Sequence, residues 1–167
     1  MIKKWCFLLA TIVLSFPAIA EWRTWVQNDA FDDQQTAMMV GIGSAGFGIA
    51  LDCSNDSLVA SITKETDKVN TDKFGLSKDL IFRIDDFPAV KTTGVLTGRN
   101  EKMYSYKTED SQKIKELLSY LRKAKSRVLA GVKDPSEERG VSFNVTPAGS
   151  TLAVNKLIKA CNITIPE

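Results

Sequence analysis

Short apolar runs, each bounded by turn-forming residues, fill most of the chain after residue 20. Runs of this length and type are typical of β-strands. Residues 36–42 and 47–53 flank Gly43-Ser44-Ala45-Gly46, a turn sequence that predicts an antiparallel hairpin. Further strands are predicted at residues 22–26, 58–63, 80–84, 90–96, 103–107, 127–133 and 141–145, the last two forming another hairpin. This pattern restricts the chain to a mainly β, antiparallel architecture.

Two segments late in the chain have helical spacing instead. Thr108 is the predicted N-cap of the first helix, whose apolar face is formed by Ile114, Leu117, Leu118 and Leu121. Ser150 is the predicted cap of the second, whose apolar face is formed by Val154, Leu157, Ile158 and Cys161. The expected fold is therefore mainly β with α: an antiparallel β-sandwich or curled sheet, with one helix mid-to-late in the chain and one short C-terminal helix.

The first 20 residues have the three parts of a secretory signal peptide. Lys3 and Lys4 precede an apolar run at residues 6–16, and Ala18-Ile19-Ala20 forms a small-residue cleavage site. The run is shorter than the roughly 20 residues that a membrane span requires. We expect cleavage after Ala20, a single globular domain at residues 21–167, a periplasmic location, and no membrane attachment after cleavage.

Charge and composition exclude several classes of function. Of the 22 basic residues, Lys3 and Lys4 lie in the signal segment, which leaves 20 against 20 acidic residues. A neutral domain has no electrostatic attraction to nucleic acid or to an anionic membrane, and we expect it to bind neither. The chain has no histidine, which removes the usual general base and the commonest metal ligand. No cofactor is expected.

Cleavage would leave two cysteines, Cys53 and Cys161. In an oxidising compartment an isolated pair predicts a disulfide, and the alternative is two buried free thiols.

Two short motifs resemble enzyme signatures, and their context favours a structural interpretation. Gly41 to Gly46 spells G-x-G-x-x-G, but a strand follows it where a dinucleotide site requires a helix. Ser61-Ile62-Thr63-Lys64 matches S-x-x-K, but in a strand it would place Ser61 and Lys64 on opposite faces. Paired carboxylates such as Asp32-Asp33 and Asp85-Asp86 fall at predicted turns.

Aromatic residues are the best candidates for contact with a partner. Exposed Trp and Tyr anchor protein interfaces more than other residue types, whereas core packing is the default for each of them. The candidate contact residues are Trp22, Trp25, Phe87, Tyr104 and Tyr106.

The last third of the chain has a distinctive order of elements. A helix at residues 114–121 leads through a hairpin ending in Val141-Ser142-Phe143-Asn144-Val145 to a small-residue break at Gly149-Ser150 and then to residues 152–161. This order resembles the C-terminal pattern of the invasion-associated locus B family of small periplasmic proteins. The chain departs from it where Gly149-Ser150 replaces a glycine-phenylalanine pair, and its cysteines are sparser. The resemblance implies a compact β-sandwich, no enzymatic activity, and a role in host interaction or envelope stress.

The sequence therefore predicts a non-enzymatic periplasmic binding or interaction module whose partner is another protein. One alternative is an inhibitor or immunity-type protein that blocks an envelope enzyme or toxin, with residues 64–78 as a long mobile loop for that purpose. A second alternative is a small hydrolase that uses carboxylates or a Ser-Lys pair.

Overall fold

A computed structural model describes residues 22–28, 35–54 and 56–166. The predicted signal peptide and Asp32-Asp33 lie outside these ranges. The strands are β1 (Trp22–Asn28), β2 (Gln35–Ile42), β3 (Phe47–Ser54), β4 (Ser57–Glu65), β5 (Ser77–Ile84), β6 (Val90–Asn100), β7 (Met103–Thr108), β8 (Val128–Lys133) and β9 (Val141–Val145). The α-helices are α1 (Ser111–Lys123) and α2 (Ser150–Ala160). Two single-turn 3-10 helices lie at Ser44–Gly46 and Thr71–Lys73.

The nine strands of the described residues form one antiparallel sheet in the order β1-β2-β3-β4-β7-β6-β5-β8-β9. The predicted class, mainly β with one mid-to-late and one C-terminal helix, is confirmed. Of the two architectures expected, the described residues form the curled sheet. The hairpins at β2–β3 and β8–β9 are confirmed.

The core lies between the inner face of the sheet and the two helices. Period-two alternation buries every second residue of a strand, as in β5, where Leu80, Phe82 and Ile84 are almost fully buried. Helix α1 buries its entire predicted apolar face: Ile114, Leu117, Leu118 and Leu121. Helix α2 packs mainly against β1, β2 and α1. The opposite face of the sheet is its outer face.

The sheet curls so that the β2–β3 turn reaches the edge strand β9 at one point. Gly43, in the β2–β3 turn, forms an isolated bridge with Val145 of β9. Beside it the rings of Phe47 and Phe143 stack with 5.0 Å between centroids. A Cβ at Gly43 would lie 2.5 Å from the Phe143 ring, so this approach requires glycine.

The helices begin at positions other than those predicted. Asp110, not Thr108, caps α1, because its carboxylate accepts a hydrogen bond from the Lys113 backbone N–H at 3.1 Å. Thr108 ends β7, with its hydroxyl 3.1 Å from that of Thr92. Gly149 is the N-cap of α2, and Ser150 is its first residue.

The predicted disulfide is confirmed. Cys53 and Cys161 are joined, with their Cα atoms 6.2 Å apart and a sequence separation of 108 residues. The bridge ties the end of β3 to the C-terminal end of α2, and the alternative of two free thiols is wrong.

The predicted loop at residues 64–78 is wrong at both ends. Strand β4 continues to Glu65 and β5 begins at Ser77. The segment between them is bonded to the β6–β7 hairpin, since the Thr66 N–H donates to the Lys102 carbonyl and the Gly75 N–H to the Leu96 carbonyl.

Candidate interaction surface

Trp25 is the most exposed of the five predicted contact residues. It projects from the outer face of the edge strand β1 and is 47% exposed. Trp22, three residues earlier, points inward and is 3% exposed. The Trp22 indole N–H donates to the Thr146 carbonyl at 2.7 Å, and the Thr24 hydroxyl donates to the Ala153 carbonyl at 2.8 Å. These bonds join β1 to the α2 region and hold the strand that carries Trp25.

The register of the sheet places three outer-face residues in one row. Trp25 lies directly opposite Met38 on β2, and Met38 lies directly opposite Asp52 on β3. Directly opposed residues of an antiparallel pair project from the same face. The next row contains Gln27 and Thr36. These side chains, together with Ala37 and Cys53, line a cleft of about 290 Å³.

Arg99, on β6, bonds to the Asp52 side chain of this row. A β-bulge between Gly98 and Asn100 breaks the register of β6 at Arg99, and bulges re-aim side chains. The guanidinium donates to both Asp52 oxygens, at 2.9 Å from Nη1 and 2.8 Å from Nη2. Nη2 also lies 3.1 Å from the Met38 sulfur. This bidentate pair fixes the orientation of the Asp52 carboxylate.

Strands β4 and β7 lie between β6, which carries Arg99, and β3, which carries Asp52, so this ion pair joins two strands that are not neighbours in the sheet. The outer-face residues of this part of the sheet are small and buried: Gly48, Ala50, Ser61, Thr63 and Ser105. We call the whole assembly of Trp25, Met38, Asp52 and Arg99 the Trp25 surface.

The other predicted contact residues have structural roles. Trp22 belongs to the core, which corrects its assignment as a contact residue. Phe87 is half-buried and stacks on Tyr120, with 4.6 Å between ring centroids. Tyr104 accepts a hydrogen bond from the Asn70 N–H at 2.7 Å and so holds the segment before β5. Tyr106 packs against the core, and burial raises its pKa above the ordinary value.

Sequence reasoning missed Met38, Asp52 and Arg99. Asp52 is the single charged residue in the otherwise apolar stretch of β3, Phe47–Ser54. A charge in an apolar strand requires a partner, and that signal could have identified it.

The two motifs that resemble enzyme signatures, at residues 41–46 and 61–64, lie in a hairpin turn and in a strand, as expected for structural segments. Ser61 is buried on the outer face of β4, and its hydroxyl lies 3.4 Å from the Ala50 carbonyl. Lys64 is on the opposite face, where its ammonium lies 4.6 Å from the Phe47 ring centroid. The glycine run forms the β2–β3 hairpin turn. Within the described ranges, no three His, Cys, Asp or Glu side chains are placed to hold a metal ion.

Larger depressions occur elsewhere on the surface. One of them, of about 650 Å³, lies over β5, β6, β8 and β9 and is lined by residues that include Asp79, Ile81, Lys91 and Lys133. No aromatic side chain lines it. Among the described residues, no helix has the length and apolar character needed to span a membrane.

Comparison of the chain with protein-family models, curated proteins and solved structures gave no match.

Proposed function

We propose that this chain is a non-enzymatic binding module that attaches to another protein through the Trp25 surface. The observation that carries the proposal is an exposed tryptophan beside a cleft whose far wall is fixed by the Arg99–Asp52 pair. Tryptophan and arginine are enriched among residues that dominate binding energy, and such residues lie beside well-packed pockets.

The size of the cleft also favours a protein partner. Small-molecule and cofactor sites usually have volumes of about 300–1,000 Å³ and enclose most of the ligand. The cleft beside Trp25, at about 290 Å³, is at or below the lower end of that range and suits a single amino-acid side chain.

The disulfide supports an exported location. Disulfides persist in oxidising compartments such as the periplasm and are rare in the bacterial cytosol. We therefore propose that the module acts in the periplasm, where the family resemblance would give it a role in host interaction or envelope stress.

An inhibitor or immunity-type role remains compatible with the same surface. We place binding at Trp25 and not in the segment between β4 and β5, because that segment is bonded along the β6–β7 hairpin.

The proposal can be tested by placing a photo-crosslinking amino acid, p-benzoylphenylalanine, at position 25 of the exported protein. Leu152 is 77% exposed on α2 and provides the matched control position. We expect a protein adduct from position 25 that is absent from position 152. With the adduct partner purified, Trp25→Ala should weaken binding by about 2 kcal/mol, roughly 30-fold, and Leu152→Ala should not. Equal adducts from both positions, or none from position 25, would contradict the proposal.

A further inference from the structure

We infer that the cleft beside Trp25 receives a basic side chain, arginine or lysine, from the partner protein. The inference rests on the proposed function and specifies the chemistry of the same surface.

The first argument is the charge of the cleft wall. The residues that line it include one ionisable carboxylate, that of Asp52, and no lysine or arginine. Arg99 is not among the lining residues, and its guanidinium donates to Asp52 and approaches Met38. The lining therefore offers an entering cation the free acceptor positions of a carboxylate whose charge Arg99 balances, and it offers an entering anion no cationic side chain.

The second argument is the unused hydrogen-bonding capacity of Asp52. A carboxylate has about four acceptor sites, and Arg99 occupies one on each oxygen. The Asp52 side chain is 36% exposed, so water still reaches part of it. An apolar side chain that filled the cleft would strip water from these acceptors without replacing it, which is unfavourable.

The third argument is the shape of the wall. The stem of a lysine or arginine can pack on the Met38 thioether and the Trp25 ring while its charged head reaches Asp52. The indole face adds a cation–π attraction, which is strongest for tryptophan. The amide oxygen of Gln27 and the hydroxyl of Thr36 supply further acceptors in the adjacent row. Arg99 acts in this arrangement as a positioning residue for Asp52.

The test uses the exported, disulfide-bonded protein and blocked pentapeptides of the form acetyl-Gly-Gly-X-Gly-Gly-amide. X is arginine, lysine, glutamate or citrulline, the last being a neutral isostere of arginine. Binding is followed by NMR through the Trp25 indole N–H resonance. We expect the arginine and lysine peptides to shift it saturably in the millimolar range, and the citrulline peptide to bind about 5-fold or more weakly.

Two variants separate charge from shape. Asp52→Asn should abolish the preference for arginine over citrulline. The control is Asp79→Asn, which changes a carboxylate flanked by lysines in another outer-face depression. It should leave the preference unchanged. The inference is overturned if citrulline binds as well as arginine, if Asp52→Asn retains the preference, or if no peptide shifts the resonance saturably up to about 20 mM. An adduct from position 25 together with any of these results would leave the Trp25 surface as an interface for a partner of other chemistry. Arginine selectivity without an adduct would instead contradict the proposed function.

Discussion

Asp85 joins two loops that are distant in sequence, and its removal gives a direct test of the fold. It follows β5 and has a left-handed backbone conformation, with φ 42°. Its carboxylate accepts hydrogen bonds from the backbone N–H groups of Lys125 at 2.7 Å, Ser126 at 3.0 Å and Arg127 at 2.7 Å. The Ser126 hydroxyl donates a fourth bond at 2.7 Å. The β5–β6 turn is thereby fastened to the connection between α1 and β8.

The magnitude of the loss follows from these bonds. A hydrogen bond to a charged group contributes about 1.5–3 kcal/mol, but at an exposed site water replaces much of it, so we take about 0.5–1 kcal/mol for each. Asp85→Ala removes four bonds and leaves alanine in a left-handed conformation that costs about 1 kcal/mol. The expected loss of unfolding free energy is about 3–5 kcal/mol. Asp85→Asn retains the oxygen that accepts three of the bonds but places an amide N–H against the Lys125 N–H, for a loss of about 1 kcal/mol.

The effect should also depend on pH. Hydrogen bonds to the charged form, led by that from the Ser126 hydroxyl, hold the pKa of Asp85 well below its ordinary value, and the smaller opposing effect of desolvation does not reverse this. Because the folded-state pKa is the lower one, the stabilising contribution is complete above the unfolded pKa of about 3.9 and is lost as pH falls further. The difference in stability between the parent and Asp85→Asn should therefore narrow below about pH 4.

Urea denaturation of the oxidised proteins at pH 7, followed by tryptophan fluorescence and circular dichroism, measures the loss, and repetition down to pH 3 measures its pH dependence. Asp86→Ala is the control, because its side chain is exposed at the next position, and it should change stability by less than about 0.5 kcal/mol. The reasoning is refuted if Asp85→Ala destabilises no more than Asp86→Ala, or if the Asp85→Asn difference stays constant as the pH is lowered.

Two further predictions concern the contacts that close the fold. Because the disulfide spans 108 positions, the Cys53→Ala, Cys161→Ala double variant should lose about 2–5 kcal/mol of stability, measured by urea denaturation beside an oxidised parent shown to have no free thiol. Gly43→Ala places a methyl group 2.5 Å from the Phe143 ring at the point where the β2–β3 turn meets β9, and should cost about 1–3 kcal/mol. If that loss comes from the clash, Gly43→Ala combined with Phe143→Leu should destabilise by less than the sum of the two single changes.

The strands could be predicted because the alternation of apolar and polar residues is a local feature of the sequence. Where a strand begins and ends depends instead on the neighbouring strands with which it pairs. Residues 97–101 have the composition of a turn, and β6 was predicted to end at residue 96. In the structure β6 continues to Asn100, since Thr97 and Gly98 pair with β7 and the irregularity at Gly98–Asn100 is a bulge. Glycine and asparagine favour bulges and turns for the same conformational reason, so composition alone cannot separate the two.

Which of the two tryptophans of β1 points into the core likewise depends on the neighbouring strand β2. Trp22 and Trp25 are three residues apart, so alternation places them on opposite faces without indicating which is inner. The pairing decides it: Trp22 lies opposite Gly41, where a Cβ would be 2.6 Å from the indole ring. Glycine at that position leaves room for the ring on the inner face, and Trp25 is consequently exposed.

The candidate site could not be predicted because it depends on strand order. Asp52 and Arg99 are 47 positions apart and lie on strands separated by two others, so no local pattern relates them. Each nonetheless breaks a local expectation, Asp52 as a charge within an apolar strand and Arg99 as the residue at a bulge. A charge in an apolar strand needs compensation, and a bulge redirects a side chain. Arg99 balances the charge of Asp52 and also holds its carboxylate at the wall of the cleft beside Trp25. One arginine therefore serves both the stability of the sheet and the proposed binding chemistry.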